Sequence, residues 1–113
     1  LDLAKMGAVL ANHGLSPFNG KQLLESKLVP NLLAEMATAG LYDTSGEWLY
    51  SVGLPAKSGV GGGIVAIAPG KFAIAVYSPP LDSSGNSIRA QQAIKYIANS
   101  RSFVQWHNEK RRI

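Results

Sequence analysis

Two apolar segments around a tight turn constrain the fold of this chain most strongly. Residues 64–68 and 71–77 are rich in apolar and β-branched side chains and flank the turn dipeptide Pro69-Gly70, which predicts a β-hairpin. Neither segment alternates apolar with polar residues, so both faces of the hairpin should be covered. An isolated hairpin is marginal, and one buried on both faces needs neighbouring strands and two helical layers. The 113 residues therefore predict part of a larger α/β (α+β) domain.

Helical spacing of apolar residues predicts the covering layers. Each predicted helix is bounded by residues that commonly cap helices or break them. The predicted segments are a first helix ending at Gly14, a second from about Ser26 to Ala39 that ends at Gly40, a short helical turn over residues 46–51 capped by Ser45, and a final helix to about Asn99 capped by Asn86 or Ser87.

Composition excludes several classes of protein. The chain has no cysteine, which rules out disulfides, cysteine zinc clusters and a thiol nucleophile within it. Its longest apolar run, residues 64–69, is far short of the roughly 20 residues of a membrane helix. His13 and His107 have no cysteine or carboxylate at metal-ligand spacing, so both are expected at the surface, and no metal or cofactor is expected. A cytoplasmic location fits the cysteine-free composition.

The net charge of +4 is concentrated near the C-terminus. The basic residues of the last thirteen are Arg101, Lys110, Arg111 and Arg112. A basic tail of this kind can bind nucleic acid through phosphates, which leaves a small nucleic-acid-binding module as one alternative. The favoured interpretation is a solvated tail, with Phe103 and Trp106 at near-helical spacing as an apolar stripe that docks it.

A glycine-rich stretch, residues 53–63, carries the chemical signal. It is not a phosphate-binding Walker loop, because Ala56 and Ser51 stand where that motif needs glycine. It is not a dinucleotide-binding fingerprint either, because the pattern from Gly59 ends in Ile64 and no clear strand precedes it.

The tripeptide Lys57-Ser58-Gly59 has the K-[ST]-G form found in penicillin-binding proteins and β-lactamases, where such a strand lines an acyl-transfer site. Placed at the start of a strand, its glycine would let substrate lie against the backbone, and a backbone N–H could point at a developing oxyanion. For the tripeptide alone, the favoured interpretation is a glycine-rich strand whose small residues permit close helix packing.

A longer set of segments resembles the serine-dependent glutaminase family. The segments are residues 6–12 (MGAVLAN), 40–46 (GLYDTSG), 52–64 (VGLPAKSGVGGGI), 78–79 (SP), 81–82 (LD) and 85–87 (GNS). The resemblance covers about residues 1–98, with Ala90 where the family has glycine, and no usable match follows Asn99. It implies the C-terminal part of a single β-lactamase-like domain, with helices packed on an antiparallel sheet.

The resemblance implies hydrolysis of L-glutamine through a serine acyl-enzyme, with the serine activated by a lysine in an S-x-x-K element. No serine of this chain has lysine three residues later, so the nucleophile-bearing N-terminal portion is expected upstream of it. The other implied partners are L-glutamine and further copies in a dimer or tetramer, with no nucleic acid and no membrane. Another serine acyl hydrolase of the same fold is the main alternative.

Two residues of this chain match site positions of the family. Tyr42 matches a tyrosine placed near the nucleophile, where its phenol relays a proton. Val60 matches the residue whose backbone N–H holds the substrate carbonyl oxygen in the oxyanion hole, and its side chain could be ordinary core. Around Val60, the residues expected to line the site are Lys57, Ser58, Gly59 and Gly61.

Overall fold

The computed structural model describes residues 2–101, and side chains as far as residue 99. The basic residues 110–112 and the predicted stripe of Phe103 and Trp106 lie outside this range. The helices are α1 (Asp2–Ala11), α2 (Val29–Ala39), α3 (Ser45–Ser51) and α4 (Ile88–Arg101), and the strands are β1 (Ala56–Ser58), β2 (Gly63–Ala68) and β3 (Phe72–Tyr77). No helix among residues 2–101 is long and apolar enough to cross a membrane.

The three strands form one antiparallel sheet in the order β1-β2-β3. The predicted hairpin is confirmed, with Ala68 opposite Phe72 at the turn and Gly63 opposite Tyr77 at the other end. The prediction that Lys57-Ser58-Gly59 begins a strand, and that no strand precedes Gly59, was wrong. Residues 56–58 form a short strand of their own, paired with β2 so that Ser58 lies opposite Ile64. Because β1 and β2 are antiparallel, the loop between them is a reversal and not the entry to a helix.

The helix ends agree with the sequence pattern in most places. After α1 the chain turns at Gly14, whose φ of 88° is left-handed and whose N–H donates to the carbonyl of Val9 at 2.9 Å. A 3-10 turn over Ser26–Leu28 precedes α2, so Pro30 falls in the first turn of α2, where a missing N–H costs nothing.

The two predicted serine caps had different outcomes. Ser87 caps α4, because its Oγ accepts a hydrogen bond from the N–H of Ala90 at 3.3 Å. Ser45 is not the cap of α3 but its first residue. The Ser45 hydroxyl instead accepts from the N–H of Leu41 at 2.9 Å and donates to the carbonyl of Tyr42 at 2.8 Å. Its side chain thus closes the preceding turn.

One face of the sheet is covered over β1 and β2 within this chain, while β3 is only half-buried. Helices α3 and α4 pack there around β2, and the buried side chains of this closed face are Leu41, Trp48, Val52, Leu54, Ala56, Ile64, Ala66, Ala68, Ala90, Ile94 and Ala98. All but one of these side chains are no more than 2% exposed, as in the close-packed core of a folded protein.

The opposite face is only partly covered. Helix α1 lies close against the sheet because Gly7 has no side chain, and a Cβ there would meet the Cβ of Ala73 at 2.8 Å. Beside α1 an apolar groove of about 1060 Å³ remains, bordered by α2, residues 16–24 and the sheet. Apolar side chains of this open face are exposed, among them Met6 (59%), Phe18 (62%), Leu23 (62%) and Leu32 (40%). Strand β3 is half-buried along its length, so covering on both faces is confirmed for β2 but incomplete for β3.

Candidate active site

A tight turn after α2 presents Tyr42. Residues 40–45, here called the Tyr42 turn, join α2 to α3, and Tyr42 within it has a φ of 54°. A left-handed backbone is unfavourable for a bulky residue and persists only when the surroundings fix it. Three hydrogen bonds within the turn do so: two through the Ser45 hydroxyl, and one from Thr44 Oγ1 to the Leu41 carbonyl at 2.9 Å.

The Tyr42 side chain stands between two elements that come later in the chain. Tyr42 is 44% exposed, and the Lys57 Nζ lies 4.9 Å from the ring centroid, within cation–π distance. On another side it meets Gly85, where an added Cβ would approach Cε2 of the ring at 3.8 Å. Tyr42 is thus held by its surroundings while part of it stays accessible to a ligand.

Strand β1 is tied directly to the start of the Tyr42 turn. The N–H of Ser58 donates to the carbonyl of Gly40 at 3.0 Å, and the buried Ser58 hydroxyl donates to the same oxygen at 3.3 Å. Gly40 must be glycine here, because a Cβ would stand 1.7 Å from the carbonyl oxygen of Ala56. The structure therefore brings the predicted lining residues Lys57 and Ser58 close to the Tyr42 turn. The Ser58 hydroxyl is used in a hydrogen bond that joins β1 to this turn.

The loop between β1 and β2, residues 59–62, is here called the glycine loop. The N–H of Gly59 donates to the Gly63 carbonyl, and the N–H of Gly62 donates to the Gly59 carbonyl, both at 3.0 Å. Within residues 2–101 the N–H of Val60 has no hydrogen-bond partner. Val60 is 73% exposed, so the possibility that its side chain is ordinary core was wrong. An N–H that the fold leaves unused on an open glycine loop is able to bind a ligand oxygen.

The glycine loop is anchored at its far end to residues 78–79. Gly62 has a φ of 101°, and a Cβ there would meet the Ser78 carbonyl oxygen at 2.6 Å. The N–H of Ser78 donates back to the Gly62 carbonyl at 2.9 Å. At Gly59 and Gly61, by contrast, an added Cβ would meet nothing within 4 Å. The loop is therefore fixed at one end and open beside Val60, where a substrate could approach.

The glycine loop and the open groove adjoin. Lys57, Ser58, Gly59 and Gly61 all line one end of the groove, and Tyr42 is not among its lining residues. No group of three or more metal-binding side chains occurs in the described part of the chain, and His13 is exposed as expected. His107 lies outside that part.

The structure adds a cluster that the sequence analysis missed, the cap loop of residues 82–87. Its Asp82 carboxylate accepts from the N–H groups of Ser84 and Asn86 and from Gln91 Nε2, at 2.9, 3.0 and 3.0 Å. The Gln91 side chain, and then the backbone of Asn86, hold the pKa of Asp82 below its usual range. From the sequence, segments 81–82 and 85–87 are family matches, and Asn86 or Ser87 is a predicted helix cap, but no contact with the Tyr42 turn is predicted.

This geometry offers two kinds of group near strand β1: the hydroxyl of Tyr42, and the backbone N–H groups of Val60 and Gly61, which no hydrogen bond in the described part of the chain uses. Neither Tyr42 nor Val60 lines the groove itself. The pair suits a reaction in which a proton is relayed and negative charge develops on an oxygen. Within residues 2–101 the structure supplies no activated nucleophile, in keeping with the absence of an S-x-x-K element from the sequence.

Comparison with known proteins gives a consistent result. The family model described as glutaminase matches residues 1–106, which extends eight residues beyond the resemblance seen in the sequence. A glutaminase from Colwellia psychrerythraea is 65% identical over 97 residues, covering 86% of this chain and 31% of the relative. One from Mycobacterium ulcerans is 61% identical over 99 residues, covering 88% of this chain and 31% of the relative. This chain therefore spans about a third of the length of these relatives.

Solved structures agree with the sequence comparison. A probable glutaminase, ybaS, superposes with a TM-score of 0.88 at 50% identity, over 91% of this chain and 33% of that protein. The Bacillus subtilis glutaminase YbgJ, as its covalent complex with 5-oxo-L-norleucine, superposes with a TM-score of 0.88 at 34% identity, over 92% of this chain and 38% of that one. The fold is that of the C-terminal part of a β-lactamase-like domain, as predicted.

Proposed function

This chain belongs to the glutaminase family, and on that premise we propose that the complete enzyme hydrolyses L-glutamine to L-glutamate and ammonia. The observation that carries the proposal is the free N–H of Val60 on an open glycine loop, bordered by Lys57 and Ser58. An amide is unreactive, so its hydrolysis needs an activated nucleophile, a donor for the oxyanion and an acid for the departing nitrogen. This chain supplies the second requirement and a group suited to the third.

In the proposed reaction a serine of the upstream portion attacks the side-chain amide carbon of glutamine. The carbonyl oxygen becomes negatively charged in the tetrahedral intermediate, and the N–H of Val60 donates a hydrogen bond to it. The C–N bond then breaks, the nitrogen takes up the proton that the serine hydroxyl gave up and leaves as ammonia, and a glutamyl ester of the serine remains. Water attacks that ester through a second tetrahedral intermediate at the same N–H, which releases glutamate and restores the serine.

Tyr42 is proposed to relay a proton during these steps. Its partly exposed side chain and fixed, strained backbone suit a group that must meet a substrate in one orientation. Lys57 contacts the ring and orders it. Gly59 and Gly61 keep the space beside Val60 free of side chains, so a substrate carbonyl can reach the N–H.

The upstream portion of the enzyme is proposed to occupy the open face. The groove is apolar and is lined in part by Gly59 and Gly61, the neighbours of Val60, so a segment packed there could carry a nucleophile to the glycine loop. Strand β3 is half-buried and is an edge strand of the sheet that residues 2–101 form, so a further strand can be added beside it. A homo-oligomer and a cytoplasmic location stay predictions.

The proposal is tested by comparing this chain alone with a full-length enzyme, in which it is joined to the upstream two thirds of the Colwellia relative. We expect ammonia release from glutamine by the full-length enzyme, and none by residues 1–113, which should also melt with poor cooperativity. Turnover by the isolated chain would overturn the proposal that the active site is shared between this chain and the upstream portion. Hydrolysis of a β-lactam in place of glutamine would favour the alternative acyl hydrolase.

A further inference from the structure

The cap loop ends, just before α4, in two adjacent polar side chains that are fully buried. Asn86 and Ser87 are both 0% exposed, and each hydrogen-bonds to a different part of the candidate site. Buried polar side chains are costly unless they are paired, and Asn86 Oδ1 has no partner within residues 2–101. That cost falls on Oδ1 alone, because Nδ2 of the same side chain donates two hydrogen bonds.

Asn86 joins the cap loop to the Tyr42 turn. Its Nδ2 donates to the Leu41 carbonyl at 3.1 Å and to Thr44 Oγ1 at 3.0 Å, across more than forty residues of sequence. These two acceptors flank Tyr42, the residue with the left-handed backbone. The preceding Gly85 lies beside the Tyr42 ring, where an added Cβ would stand 3.8 Å from Cε2, so one short segment borders both the backbone and the side chain of that residue.

Ser87 joins the same segment to the glycine loop. Its Oγ donates to the Ser78 carbonyl at 2.7 Å, and the N–H of Ser78 donates to the Gly62 carbonyl at 2.9 Å. The Ser78 carbonyl also packs against the backbone of Gly62, at a distance that excludes a Cβ. Ser87 thus holds the residue that anchors the loop bearing Val60.

We propose that Asn86 and Ser87 are positioning residues for the two catalytic groups of this chain, Asn86 for Tyr42 and Ser87 for the N–H of Val60. The inference rests on the proposed roles of Tyr42 and Val60. The two residues are adjacent at the N-terminal end of α4, so their hydrogen bonds tie the Tyr42 turn and the glycine-loop anchor to one short segment. A displacement of about 1 Å can cost on the order of 100-fold in rate, which is the largest effect expected from either substitution.

The test is a double-mutant cycle in the full-length enzyme, with Asn86→Leu and Tyr42→Phe made singly and together. Asn86→Leu keeps the approximate volume and removes the donor. We expect it to lower kcat by about 10- to 100-fold with KM changed less, and to lower kcat by less than about twofold in the Tyr42→Phe background. If Asn86→Leu lowers kcat by the same factor in the Tyr42→Phe background as in the parent enzyme, Asn86 does not act through Tyr42. The catalytic role of Tyr42 would still stand. Unchanged kcat in Tyr42→Phe alone would overturn both.

Ser87→Ala provides the matched control in the same cycle. It removes a buried hydroxyl from the residue next to Asn86, and this hydroxyl supports the glycine loop and not the Tyr42 turn. Its loss in kcat, about tenfold, should therefore be similar in the parent enzyme and in the Tyr42→Phe background. A loss that disappears in the Tyr42→Phe background would overturn the assignment of Ser87.

A second pair of variants covers the case in which Asn86→Leu fails to fold. Thr44→Val removes one of the acceptors of Asn86, whereas Thr44→Ser keeps the hydroxyl. We expect Thr44→Val to lower kcat through Tyr42, and Thr44→Ser to restore it. Equal kcat values for these two variants would contradict the inference.

Discussion

The Tyr42 turn and the glycine loop present their functional groups in opposite ways. The Tyr42 turn holds a side chain, and four residues (Leu41, Thr44, Ser45 and Asn86) fix it through hydrogen bonds that force a left-handed backbone at Tyr42. The glycine loop holds a backbone N–H, and its only side chain, that of Val60, is exposed to solvent. In the proposed reaction, the Tyr42 turn acts through a side chain and the glycine loop acts through its backbone. Substitutions should therefore act differently in the two.

The largest effect is expected at Tyr42. Tyr42→Phe keeps the ring that contacts Lys57 and Gly85 and removes only the hydroxyl. General acid–base groups typically contribute about 10²- to 10⁴-fold, and we expect kcat of the full-length enzyme to fall in that range, with KM changed less. Tyr96→Phe, at a 74% exposed position on α4, is the control and should leave kcat unchanged. Retention of more than half the activity by Tyr42→Phe would show that its hydroxyl moves no proton.

A somewhat smaller loss is expected when the N–H of Val60 is removed. A backbone ester at position 60, introduced by semisynthesis, replaces the N–H by oxygen and keeps the side chain. Loss of one oxyanion donor elsewhere costs about 10²- to 10³-fold, and we expect kcat to fall by that factor. The fold should survive, because no hydrogen bond within residues 2–101 uses this N–H. A normal rate from the folded ester would leave only a structural role for the loop.

A modest, pH-dependent effect is expected at Asp82, which supports the Tyr42 side through the cap loop. Because the folded pKa of Asp82 is lowered, its ionised form contributes stability above the unfolded pKa of about 3.9, and this is lost as pH falls through the folded pKa. Asp82→Asn should lower the free energy of unfolding at pH 7 by no more than about 1 kcal/mol, since water screens this half-buried group. Denaturant titrations should show the difference shrinking below about pH 4. If the difference in the free energy of unfolding grew below about pH 4, the pKa of Asp82 would not be lowered by folding.

The smallest effect is expected for Val60→Ala. Its side chain is exposed, so the free energy of unfolding should change by no more than about 0.5 kcal/mol. The N–H remains, so kcat measured per folded molecule should match that of the parent enzyme. A large loss of kcat would mean that the valine side chain, and not the backbone, acts on the substrate.

Local sequence signals predicted the elements of the fold better than their assembly. Some signals act over only a few residues, and these could be predicted from the sequence. They are the apolar runs of the hairpin, the glycine at position 14 and the Ser87 cap. Strand β1 was missed because its three residues are too short for a periodicity. The role of Ser45 was misread because a serine before a helix is a common cap, and here contacts within the turn compete for its hydroxyl.

The candidate site depended on the family resemblance, since nothing local marks Tyr42 or Val60. The structure then explains how their neighbourhood forms, through contacts between residues far apart in sequence. Asn86 reaches Leu41, and Ser58 reaches Gly40, over distances that no local pattern encodes. The exposure of Val60 was likewise invisible, because valine in a sequence usually indicates core.

The most direct test of the two-region site is a crystal structure of the full-length enzyme after reaction with 6-diazo-5-oxo-L-norleucine, the compound from which the adduct of the Bacillus subtilis relative was formed. The ketone oxygen of such an adduct takes the place of the amide oxygen of glutamine. We predict that it lies about 2.7–3.1 Å from the Val60 nitrogen, with the Tyr42 hydroxyl hydrogen-bonded to the attacking serine or its lysine. A ketone oxygen directed away from Val60, with Tyr42 out of reach of both groups, would contradict the account.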